Sequence, residues 1–309
     1  MGMWVPLLCV LRTLLYPGPP SEPLRFVQEA LRQHQIVFLG DIHPLAEPKL
    51  LVARLIREQG ADQAIDLLAL EVAAEQQEWI DRYLSSDPED TRILLDHPRT
   101  LRAHWGISLE YLDIYRAVYQ WNRGHPNQQI RVLAADLLGW PMTPLTPQMA
   151  ARGFVNRDMR IATSFRGELQ RHPDWRVLIF MGGYHGLKEV GGRVAIGRVQ
   201  DRFERWFAGY LLDEGAEVYT ILTDARQAVG HGATRVFDHL AGTSAGNFAV
   251  ALDSTTDSIG DPLHDVKQDG FSLEFQPARF ALRQAADAMV VLNRTTPIRL
   301  IHQRGDREH

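Results

Sequence analysis

Two short motifs place a glycine and a histidine directly after an apolar run. Gly40-Asp41-Ile42-His43 follows one run, and Gly182-Gly183-Tyr184-His185 follows another, so both read G-x-x-H. Glycine permits a sharp turn off a strand and close backbone approach, and the histidine then points back over the sheet edge. A lone histidine usually serves as a cap or a satisfied core residue. Two such copies, with the strand-end carboxylate Glu71 between them in sequence, point instead to a His/Glu/His site. A trio of His43, Glu71 and His185 is suited to a divalent metal with an open position, as in zinc enzymes. It is equally suited to metal-free work, with one histidine as general base for water. Asp41, two residues before His43, can hydrogen-bond the imidazole and raise its basicity, or add a metal ligand. Because Asp41 and Glu71 suffice to orient and balance a protonated histidine, the metal-free option is the one expected.

These residues need elements to position them. Five apolar runs, 35–40, 66–71, 130–136, 176–182 and 218–224, are continuous rather than alternating, the pattern of buried parallel strands. Between them, 45–59, 76–84, 108–121, 149–169 and 197–212 carry helical spacing. The alternation predicts an α/β fold with a mainly parallel central sheet and helices on both faces. Residues 248–253 and 288–292 read as further strands of that sheet. The rest of 226–280, rich in Gly, Ser, Thr and Asp, reads as a long loop or small insertion in a single 1–309 domain. In open α/β sheets ligands sit beyond the carboxyl ends of the strands. Asp41, His43, Glu71, Asp136, Tyr184, His185 and Asp224 should therefore converge on one edge, with Asp224 read as structural. Glu71 ends an apolar run, and a buried carboxylate is costly without a partner.

Composition sets the outer limits. The chain has 309 residues, 45% hydrophobic and 23% charged, with a net charge of −5. This excludes a disordered, collagen-like or polytopic membrane chain and gives no electrostatic footprint for nucleic acid. A single cysteine, Cys9, makes neither an internal disulfide nor a cysteine metal site. Residues 3–16 are apolar but interrupted by Arg12, and shorter than the ~20 residues of a spanning helix. No basic residue precedes that run and Pro-Gly-Pro-Pro follows it. The expectation is an apolar arm over 1–20, no membrane span and a cytoplasmic location, with export or surface anchoring through 3–16 as the alternative.

The segments 37–43 (VFLGDIH), 68–84 (LALEVAAEQQEWIDRYL), 157–162 (RDMRIA) and 177–186 (VLIFMGGYHG), in this order, resemble the ChaN-like family of the haem-binding-uptake/Tiki superfamily, related to erythromycin esterase. Trp105-Gly106 and 111–119 fit as well. The likeness runs over 35–192, and 286–292 resembles the closing strand of the esterase branch. It implies a sheet-edge site of His43, Glu71 and His185. The Tiki branch uses the corresponding residues for metal-dependent peptide cleavage. The esterase branch uses a histidine to activate water, aided by carboxylates, and the ChaN branch is associated with haem. Asp41 stands where the family has Glu, which shortens the carboxylate's reach. The segment after Asp224 is not ChaN-like throughout, so substrate selection does not carry over. Arg157 and Asp158 are expected to orient substrate or His43, or else to form an ion pair at a helix start. Tyr184 is the candidate tyrosinate ligand of haem iron, or a support for its turn. His104 is a candidate pocket residue or a surface histidine. The function expected is hydrolysis of an ester, lactone or amide in a small-molecule or peptide substrate. Haem or other ligand binding without turnover, and a metal-dependent peptidase, are the alternatives.

Overall fold

Continuous apolar strands need cover on both faces, and the helices supply it. The computed structural model describes residues 21–60, 65–97, 102–103, 106–139, 146–225, 246–252, 266–268, 271–276 and 281–300. The apolar arm over 1–20, His104 and most of 226–280 lie outside the described residues. In chain order the elements begin with α1 (Pro23–Gln33), β1 (Ile36–Asp41), α2 (Ala46–Arg57), β2 (Leu67–Ala73), α3 (Gln77–Leu84) and α4 (Arg92–Leu95). Next come β3 (Arg102–Ala103), β4 (Gly106–Ile107), α5 (Leu109–Gly124), β5 (Arg131–Asp136), α6 (Pro147–Arg171) and β6 (Val177–Gly182). Then follow β7 (Gly191–Ile196), β8 (Val199–Phe203), α7 (Phe207–Asp213) and β9 (Val218–Ala225). The series closes with β10 (Phe248–Ala251), β11 (Val266–Gln268), β12 (Phe271–Gln276) and β13 (Ala288–Leu292).

The main sheet runs β10-β13-β9-β1-β6-β2-β5. Its pairings are parallel except for β10 against β13. Alternate residues of the strands face opposite layers. Val37, Leu39, Leu68, Leu70, Leu178 and Phe180 pack with residues of α1, α2 and α5. Ile36, Phe38, Leu67, Ala69, Val177 and Ile179 pack with residues of α6 and α7. Local capping starts the long helices where they are needed. Ser108 accepts from the Tyr111 backbone N–H at the head of α5, and Thr146 from that of Met149 at the head of α6, where Pro147 takes the first turn.

The region 197–212 is not one helix. Gly197, at φ +61°, turns β7 back into β8, and only Phe207–Asp213 is helical. The alternating burial of β8 is the strand period that a helical reading overlooks. β7 and β8 join β12 and β11 in a second, antiparallel sheet. Its apolar side, with Phe203, Leu273 and Phe275, packs on Leu222, Phe248 and Met289 of the main sheet. Two stretches of irregular chain tie the ends down. Ser21 exchanges backbone hydrogen bonds with Ala249 of β10 at 3.1 and 2.8 Å. After β13 the chain runs past the heads of α2 and α5. Ala46 N–H donates to Thr296, Ile298 N–H to Pro44, and Leu109 N–H to Arg299. Among the described residues no helix is long and apolar enough to cross a membrane.

Candidate active site

Four neighbouring strands deliver their carboxyl ends to one place. β1 ends in Asp41, β6 in Gly182 and β5 in Asp136, while β2 carries Glu71. Glu71 sits at an irregularity. β2 pairs Leu70 with Ala134 and then Ala73 with Asp136, three steps against two on β5. The extra residue is a bulge, which re-aims a side chain where ladder pairing ends. On the other flank, where β2–β6 pairing ends at Leu70 and Phe180, the Glu71 carboxylate accepts from the Gly182 backbone N–H at 2.7 Å.

Around this carboxylate the charged side chains form one buried network. Arg157 donates through Nη2 to Glu71 Oε1 at 2.6 Å and to Asp136 Oδ2 at 2.6 Å, and through Nε to Asp136 Oδ1 at 3.0 Å. The fork on Asp136 is the bidentate geometry that arginine favours. His185 Nδ1 lies 2.8 Å from Asp158 Oδ1, and Asp158 Oδ2 accepts from the Phe207 backbone N–H at 2.9 Å. His185 Nε2 lies 3.5 Å from Glu71 Oε1. On the other side of Glu71, His43 Nε2 is 3.6 Å from Oε2. His43 Nδ1 is 2.9 Å from Asp41 Oδ2. The second Asp41 oxygen accepts from Lys49 Nζ at 2.6 Å. Ordered from β9 toward β5, the site reads Lys49–Asp41–His43–Glu71–Arg157–Asp136, with His185 and Asp158 branching from Glu71 and Arg157.

The charges explain the proton states. Burial alone would raise Glu71, but His43, Arg157 and His185 overcome it and hold the carboxyl well below the usual range. Burial lowers Arg157, and the Glu71 and Asp136 carboxylates outweigh that, raising it further. Burial also lowers His185, and Asp158 and Glu71 outweigh it, raising the ring to about 10. Arg157 Nη1 stands 3.1 Å from His185 Nε2, a donor contact that only a neutral ring would accept. Among the described residues Asp41, Glu71, Asp136 and Asp158 face Lys49 and Arg157 as fixed cations, so charge balance selects the imidazolium, with Nε2–H turned to Glu71.

All six expected site residues, Asp41, His43, Glu71, Arg157, Asp158 and His185, meet at this edge. Their arrangement differs from expectation in one respect. Arg157 and Asp158 lie in the body of α6, which starts ten residues earlier at Pro147, rather than at a helix start. Arg157 reaches Glu71 and Asp136 on the sheet side, and Asp158 reaches His185. Lys49 was not among the expected residues, and Asp136 was expected only as a strand-end residue. Lys49 lies on the buried stripe of α2 with Val52, Ala53 and Ile56, and Arg157 on that of α6 with Ile161 and Phe165. A cation on a buried helical stripe is the sequence signal for both. Asp224 is only partly buried, accepts from the Ala225 backbone N–H, and is raised to about 6 by burial.

The residues placed for either alternative cofactor are already engaged with other groups of the chain. The Arg157 guanidinium lies against both Glu71 Oε1 and His185 Nε2, so a cation stands where a metal would bind. Among the described residues no cluster of three His, Cys, Asp or Glu is arranged to hold an ion. Tyr184 packs at 5.7 Å from Trp206 and 5.3 Å from Phe275, and burial raises its phenol, with Asp224 adding to the shift.

No family model matches the chain, and no curated protein matches it by sequence. Solved structures do match. An erythromycin esterase, EreC, solved as a mutant in its open conformation, is 12% identical with a TM-score of 0.60, covering 90% of this chain and 95% of its own. A protein from Bacillus cereus is 12% identical with a TM-score of 0.60, covering 94% and 96%. ChaN of Campylobacter jejuni, with cofacially bound haem, is 13% identical with a TM-score of 0.35, covering 65% and 85%. The chain has the erythromycin esterase-like fold that its motifs resemble.

Proposed function

We propose that the chain is a hydrolase of ester, lactone or amide bonds that uses His43 as general base without a metal. The observation that carries this reading is the His43 ring itself. Nδ1 is tied to Asp41, while Nε2 stands beside Glu71 over the end of β6. The His43 side chain is 16% exposed, against 2% for Glu71 and 8% for His185. A partly exposed base, oriented by a carboxylate at one ring nitrogen with the other left for the substrate, is the arrangement that activates water. Nε2 takes a proton from water as its oxygen attacks the carbonyl carbon. The Asp41 and Glu71 carboxylates stabilise the imidazolium that forms. When the tetrahedral adduct collapses, the C–O or C–N bond breaks and Nε2–H returns the proton to the leaving group. Arg157, Asp136, His185 and Asp158 act on this step by holding Glu71 ionised and in place.

The test is turnover of a panel of aryl esters, lactones and amides by the full chain. His43→Ala should lower the rate at least about a hundredfold, the usual worth of a general base, and chelators should leave the wild type unchanged. Absence of turnover on every member, or turnover indifferent to His43→Ala, would reject the reading. Loss on chelation with recovery on adding back one divalent ion would move it to the metal-dependent class.

A further inference from the structure

Lys49 is fully buried, and all of its donor capacity is used at one place. Nζ donates to Asp41 Oδ1 at 2.6 Å, to the His43 carbonyl at 2.8 Å and to the Ile42 carbonyl at 3.1 Å. An ammonium has three N–H bonds and no lone pair, so the count is closed only by the charged form. A neutral amine would turn a lone pair on one of these oxygens. We propose that Lys49 is a positioning residue for His43, fixing the Ile42–His43 turn to α2 and offsetting the Asp41 charge that faces Nδ1, which leaves Nε2 as the nitrogen that works as base. This rests on the reading of His43 as a base, but its physical content is independent of any substrate.

The groups facing His43 make the sign definite. His43 itself meets Asp41 and Glu71; behind them Lys49 acts with Asp41, Glu110 and Glu71, Tyr111 lies near Asp41 and Glu71, and Glu71 is shared with Arg157 and His185. Glu110 is itself held by Arg299 Nε at 2.8 Å. Tyr111 is pushed well above its ordinary value by burial and then by Asp41 and Glu71, so it stays a neutral phenol. Burial lowers Lys49, and the Asp41 charge and hydrogen bond oppose that shift. Lys49 is thus the cation on the α2 side of the ring. Removing it leaves the Asp41 charge to the imidazole alone, which favours the imidazolium. A residue that merely filled space would lower stability and leave the ring's protonation where it was.

The experiment follows the His43 ring by NMR in the full-length chain with isotope-labelled histidine and no substrate, its signals assigned by their loss in His43→Gln. In Lys49→Met the ring should titrate at higher pH than in the wild type by about one unit or more, the effect of deleting a charge roughly two hydrogen bonds away. Lys49→Gln, which keeps donors for the carbonyls but not the charge, should show the same upward move. Lys49→Arg, where folded, should show none. An unchanged titration in either folded uncharged variant overturns the proposal. If neither folds, Asp41→Asn decides, because deleting the carboxylate must move the ring's titration to lower pH, and an unmoved ring refutes the Lys49–Asp41–His43 linkage. Failure of the hydrolase panel alone leaves this measurement unaffected, so the two failures are distinguishable.

Discussion

Gly182 shows what the two G-x-x-H motifs are for. Its φ is −47°, so the glycine is not there for a left-handed turn. A Cβ built on it would meet His43 Nε2 at 2.9 Å and Glu71 Oε2 at 3.2 Å. The missing side chain is the clearance that lets the two groups stand over the end of β6. Gly182→Ala should therefore displace His43 or Glu71 while leaving the β6 core intact. Activity should fall at least about tenfold, because small misplacements of a base cost that much or more, with the urea midpoint changed little. Equal losses in activity and stability would instead mean that the strand itself is disturbed. The motif was legible in sequence but its reason was not, because the reason is a neighbour 139 positions away in numbering, His43 against Gly182. Lys49 was hidden differently. Lysine is ordinarily a solvated residue, and only its place on the stripe with Val52 and Ile56 marks it as buried.

At the scale of elements, the strands were the most readable part of the chain, because burial on both faces makes them continuous apolar runs. Seven such runs correspond to the seven strands of the main sheet. The second sheet was not legible. Its strands β7, β8 and β12 are part exposed, and β8 alternates in burial, so a helical period could be read through 197–212. Nor could the path of the chain after β13 be read, since residues 293–300 form no strand or helix of their own. Their role is nonetheless specific. The Ile298 N–H grips the Pro44 carbonyl at 3.0 Å, directly after His43, and Thr296 receives the Ala46 N–H at 2.8 Å at the head of α2. Arg299 binds Glu110 through both its backbone N–H and its side chain, at 3.0 and 2.8 Å. Ending the chain at Arg294 removes these bonds and uncovers the heads of α2 and α5. The truncated protein should keep its sheet by circular dichroism, unfold at lower urea, and lose activity several-fold or more through the His43–Pro44 turn. Full activity after truncation would show that α2 and Lys49 hold the turn unaided.

For the molecule as a whole, the buried network ties stability to pH. His185 is raised to about 10 in the folded state, against about 6.5 in an unfolded chain. A group raised on folding stabilises fully below its unfolded value, and that contribution fades as pH climbs through the folded one. Glu71, held well below its usual range, contributes in the opposite sense, above its unfolded value of about 4.3, and is lost on acidification. Urea midpoints should therefore decline on the alkaline side, between about 6.5 and 10. Asp158→Asn, which removes the first carboxylate partner of His185, should flatten that decline. A midpoint independent of pH across this window would mean that the ring is neutral in the fold and accepts from Arg157.

The same scale gives a meaning to the contact between Ser21 and Ala249. Among the described residues β10 is the outermost strand of the main sheet, antiparallel to β13, and the outer backbone groups of such a strand are a template for any extended polypeptide. Ser21, immediately before α1, takes both hydrogen bonds of Ala249. The residue that leads into the first helix thus acts as a stopper on the last-added flank of the sheet. A cut that removed it would leave a template onto which another molecule could stack, so self-association, rather than loss of chemistry, is the failure that this contact guards against.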